Sequence, residues 1–94
     1  MTVSGLLDAV SVLEAQAAGC VPDRARVLSG ALALDTLCCA GGADRDLRDA
    51  AAGLELLATI GALDLDETGR ARAARLAEAV RKAADAETAR RKVR

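Results

Sequence analysis

The apolar positions of the chain recur at helical spacing from end to end, in four runs separated by glycine and aspartate. In the first run Leu6, Val10, Leu13 and Ala17 follow the i, i+4, i+7, i+11 spacing of one helix face, with Leu7 widening the stripe and Ser4 placed to cap it. Gly19 stands where a left-handed C-cap is wanted, and Val21-Pro22 disfavours continued helix before Asp23 brings negative charge to the start of the next run. That second run, VLSGALALDTLCCA from Val27 to Ala40, is apolar nearly all round. On a helical wheel Leu34, Val27, Cys38, Ala31, Leu28, Cys39 and Leu32 sweep one broad arc, while Ser29, Gly30, Ala33 and Ala40 leave the other side small. The pattern predicts a helix over 22–40 at the centre of the fold, with a second backbone packed against the side that carries Gly30. Its single charge, Asp35, falls within the large-residue arc. It is therefore expected to be a buried charge, met by an arginine such as Arg24, Arg45, Arg48 or Arg72, by water or by protonation.

Gly41 and Gly42 end this run, and Asp44 is a good N-cap for a third helix over 45–60, in which Leu47, Ala50, Ala51, Leu54, Leu57 and Ala58 share a face. Leu56 and Ile60 point elsewhere, which gives the C-terminal half of this helix a second apolar side. After Gly61 and a short ALDLD segment, Asp66 can cap a fourth helix reaching about Thr88, with a thinner stripe of Ala73, Leu76, Ala77, Val80, Ala83 and Ala84. The expected fold is all-α, a small bundle of four helices with the second one central. The fourth is longer and either completes the bundle or reaches onto another chain. Residues 1–88 form a single helical domain, and 89–94 a basic tail that frays.

Composition sharpens this picture. The 94 residues include no Phe, Tyr or Trp, so the core must be built from Leu, Val, Ile and Ala. An alanine hides far less area than an aromatic ring, which buries about 150–250 Å². A chain of this length hides only about 60–65% of the surface its unfolded form exposes. Burial against a second polypeptide is thus expected, as a homo-oligomer or with a protein partner. The contact residues read from the stripes are Leu56, Ile60, Leu76 and Val80.

Charge is divided unevenly. Residues 1–69 carry four Arg against eleven acids, net −7, whereas residues 70–94 carry nine Lys or Arg against three acids, net +6. Glu78 and Asp85 lie at helical neighbour spacing to Arg75, Arg81 and Lys82, so a salt-bridged outer face is expected on the fourth helix. The surplus at Arg90, Arg91, Lys92 and Arg94 reads as an electrostatic docking element. The alternative is a small nucleic-acid-binding or transcriptional regulatory protein that uses this basic helix. Against it, the chain has no aromatic side chain to stack on bases, and Asp44, Asp46 and Asp49 would oppose phosphate at the start of helix three.

Candidate chemistry is sparse. Histidine is absent, which removes the usual general base near neutral pH and the commonest metal ligand. Cys20, Cys38 and Cys39 show no CxxC spacing, and adjacent helical residues point about 100° apart, so they read as inert thiols in a reducing compartment. The Gly41-Gly42 pair lacks the continuation of a phosphate loop. The longest uncharged stretch of the second run, Val27 to Leu34, falls far short of the roughly 20 residues of a membrane span. With the first basic residue at Arg24, the start of the chain does not read as a signal peptide. These features point to a cytoplasmic, non-enzymatic interaction or assembly component, a small helical adaptor without cofactor or metal and without membrane association.

Overall fold

The computed structural model describes residues 3–41, 44–61 and 64–92. They form four helices, α1 (Val3–Ala17), α2 (Arg24–Cys39), α3 (Arg45–Ile60) and α4 (Glu67–Lys92). The helices close a circuit in which α1 packs on α2 and α4, and α3 packs on the same two. Neighbours run antiparallel. Ala9 meets Gly30 while Gly5 meets Ala33 across α1 and α2, and Arg72 reaches Asp49 while Arg75 reaches Asp46 across α3 and α4. The protein is an all-α four-helix bundle in which α4 is the longest helix.

Aspartates fix the helix starts. Asp23 accepts a hydrogen bond from the backbone N–H of Ala25 at 3.0 Å, and Asp44 accepts from that of Leu47 at the same distance. Asp66 accepts from that of Gly69 at 2.8 Å. Each carboxylate satisfies a donor that the first helical turn leaves unpaired. Because Asp23 is the cap, α2 begins at Arg24 and Pro22 lies ahead of the helix. At the end of α1, Gly19 adopts φ 77°, and the N–H groups of Gly19 and Cys20 return to the carbonyls of Gln16 and Ala15. This is the Schellman arrangement, and it turns the chain toward α2.

The bundle is centred on α1, not on α2. Leu6, Ala9, Val10, Val12 and Leu13 of α1 are all buried. They meet Val27, Ala33 and Leu34 of α2, Leu54 and Leu57 of α3, and Leu76, Ala77 and Val80 of α4 in one core. The apolar character of α2 suggested a helix covered on every side, but its small face governs how it packs. A Cβ added at Gly30 would lie 2.8 Å from the Cα of Ala9, and one at Gly5 would lie 2.7 Å from the Cβ of Ala33. The two backbones approach closely along this seam, so part of the large-residue arc of α2 is turned outward.

That orientation corrects the expectation for Asp35. The residue is exposed, and among the described residues it takes part in no ion pair. Water solvates its carboxylate, so no buried partner is required. Leu76 and Val80 are likewise corrected: both are core residues, Val80 with no exposed surface, and neither is available as a partner contact. The 26 residues of α4 span about 39 Å, close to the 42 Å long dimension of the molecule. Among the residues of this helix whose burial is described, Ala84 is the last buried one, yet the helix runs on to Lys92. Residues 89–92 continue α4 as helix. Arg94 lies outside the described residues.

Candidate interaction surface

The outer face of α2 carries the most distinctive chemistry of the surface. Ala25, Leu28, Leu32, Asp35, Thr36 and Cys39 are all exposed, and Leu28 and Leu32 keep 50% and 69% of their accessible surface. Leu28, Leu32, Asp35 and Cys39 recur at the i, i+4, i+7, i+11 spacing of one stripe. The Thr36 hydroxyl donates to the Leu32 carbonyl at 2.9 Å, so its proton is committed to its own helix. Asp35 and its neighbour Arg24 lie on the side of this stripe nearer Cys38 and α3, while Arg26, on the side toward α1, donates from Nη1 to the Ser11 hydroxyl at 2.8 Å.

On α3, Leu56 and Ile60 are also exposed, at 51% and 55%, as their position off the core stripe predicts. They share the i, i+7, i+11 stripe of Asp49, which pairs with Arg72 of α4, and so form an exposed apolar patch separate from that of α2. The sequence reading missed Leu28 and Leu32 as surface residues, although the signal was present: the same wheel that gave a large arc and a small side is compatible with either one facing inward.

The outer side of α4 is built differently. Arg72, Arg75, Glu78, Arg81, Lys82 and Asp85 are all exposed. Arg72 pairs with Asp49 at 3.2 Å, Arg75 with Asp46 at 4.0 Å, and Arg81 donates from Nη2 to Glu14 at 2.8 Å. The positive helix lies along its own acidic body, so Arg72, Arg75 and Arg81 bridge to α3 and α1 instead of pairing along α4. Arg90 is exposed and contacts Glu87 one turn earlier.

The Cys38 thiol is half-buried, and burial pushes its pKa above the ordinary 9.0. Arg48 opposes that rise, while Asp35, Cys39 and Glu55 add to it. A thiol held protonated is a poor nucleophile. A cleft of about 320 Å³ opens where α1 ends and α4 begins, lined by Gln16, Gly19, Cys20, Leu57, Asp64, Leu65 and Arg70 among others. Its amide, carboxylate and guanidinium do not select one ligand class. Among the described residues no group of three or more Cys, Asp or Glu is gathered to hold a metal ion, and no helix is long and apolar enough to cross a membrane.

No protein-family model, curated protein or solved structure matches the chain. The functional reading therefore rests on the surface itself.

Proposed function

We propose that this chain is a non-enzymatic protein–protein interaction component, a small helical adaptor or assembly unit that buries the outer face of α2 against another polypeptide, with Leu56 and Ile60 of α3 as a second, separate apolar patch. The observation that carries the reading is the contrast between two outer faces of one bundle: α4 presents charge to water, whereas α2 presents Leu28 and Leu32 with no lysine or glutamate among them. Full burial of a leucine contributes about 1.5–3 kcal/mol, so a partner that covers these side chains recovers a free energy the isolated bundle forgoes. Apolar surface rimmed by polar groups is the usual mark of such a site.

The test is affinity purification of the tagged chain from its native cells beside Leu32→Asp. The substitution lies at an exposed position and should leave the circular dichroism melt unchanged. A binding species retained by the parent chain and lost by the variant supports the reading. Equal retention by both, or by neither, contradicts it. Duplex DNA is a useful control, because three of the α4 arginines are already engaged by acids of α1 and α3. Binding that falls steeply with salt and persists in Leu32→Asp would favour the basic helix as the working surface.

A further inference from the structure

We infer that the occupant of the α2 face is the same face of a second copy of this chain, docked antiparallel about a two-fold axis that lies in the seam between the two copies at the level of Gly30. This rests on the interaction reading above and names the partner. Gly30 lies midway between Leu28 and Leu32. An antiparallel α2 pair centred there lays Leu28 of each copy on Leu32 of the other, so the exposed leucines cover one another without any foreign groove.

Charge then selects the register and direction. Arg24 is six residues before Gly30 and Asp35 five residues after it, and both stand on the α3 edge of the face. Antiparallel pairing keeps like edges together. It therefore sets Arg24 of one copy beside Asp35 of the other, twice across the axis. A parallel pairing in register would lay the α3 edge of each copy over the α1 edge of the other, which carries Arg26, so Arg24 would meet a like charge and Asp35 would gain no partner. Both residues are exposed and take part in no ion pair among the described residues, so each is available to the second copy. Ala25 and Thr36, opposite one another within the seam, are small enough for close contact. A helix of 16 residues is about 24 Å long, and one such pair lies at the small end of specific interfaces. The dimer is accordingly concentration-dependent.

The test is native mass spectrometry and sedimentation equilibrium on the pure full chain, from about 1 μM to about 1 mM, the range of weak to moderate affinities. Four samples are compared: the parent, Arg24→Asp, Asp35→Arg, and an equimolar mixture of the two variants. Each single variant places like charges across the seam and should weaken self-association about fivefold or more. In the mixture one copy carries two acids and the other two arginines, so a heterodimer forms at about the parental affinity. A parent that stays monomeric throughout overturns the proposal. So do single variants that dimerise like the parent, or a mixture that gains no heterodimer. If the parent is monomeric but still loses a cellular partner on Leu32→Asp, a foreign chain covers the face and only the self-pairing is wrong. Loss of neither mass nor partner on Leu32→Asp removes both readings.

Discussion

Gly30 and Leu32 stand two positions apart on α2 and face opposite surroundings, and the difference sets what each tolerates. Gly30 is buried against the backbone of Ala9, where an added Cβ would sit 2.8–2.9 Å from three of its atoms. Alanine is the better helix former, yet Gly30→Ala should lower stability by about 1–3 kcal/mol, because the seam must open to admit the methyl. Urea unfolding followed by circular dichroism measures this, and a stabilised variant would show that α1 and α2 are not in close contact. The small side of α2 was legible in the sequence as a place for a second backbone. The surroundings of Asp35 were not: a large-residue arc suits the inside of a bundle, whereas close packing of glycine and alanine turns part of it to water. The cysteines give a second check at this scale. Cys20 and Cys39 are exposed, while Cys38 is half-buried with its pKa raised, so at pH 8 a thiol reagent should modify the first two quickly and Cys38 slowly. Raising the pH through that elevated pKa should speed the modification of Cys38. Peptide mass mapping of labelled sites reads the order, and equal rates at all three would contradict the burial of Cys38.

At the scale of elements, the aspartates that head α2, α3 and α4 explain why the boundaries could be read closely. Asp44 binds the Leu47 N–H and α3 runs from Arg45 to Ile60, the span its periodicity predicts. Asp44→Ala should cost about 1 kcal/mol in a thermal or urea melt, and no loss would mean the cap is not formed. The stripe of α4 was equally legible, but the role of its leucines was not. Leu76 and Val80 are the large members of a thin stripe, and α1 and α3 of the same chain supply enough surface to cover them. The charges of α4 followed a similar course. Spacing along the helix suggested Glu78 and Asp85 as partners, whereas Arg72, Arg75 and Arg81 reach acids on the neighbouring helices. Helical spacing finds neighbours on one helix and is blind to those across a groove.

For the whole molecule, a core without aromatic residues closes around α1 and leaves α2 with one covered side and one uncovered side. The four-helix architecture follows from the periodicity and the glycine breaks. Which helix is central depends on pairwise packing, which periodicity does not encode. The central claim, that a second copy covers Leu28 and Leu32, is tested most directly by the mass of the pure protein in solution. Static light scattering with refractive-index detection suits a chain that has no Tyr or Trp. The parent should rise from 9.6 kDa toward twice that value as concentration increases, while Leu32→Asp, folded by circular dichroism, should hold at 9.6 kDa. A parent that remains at 9.6 kDa alongside the variant at every concentration would contradict the account.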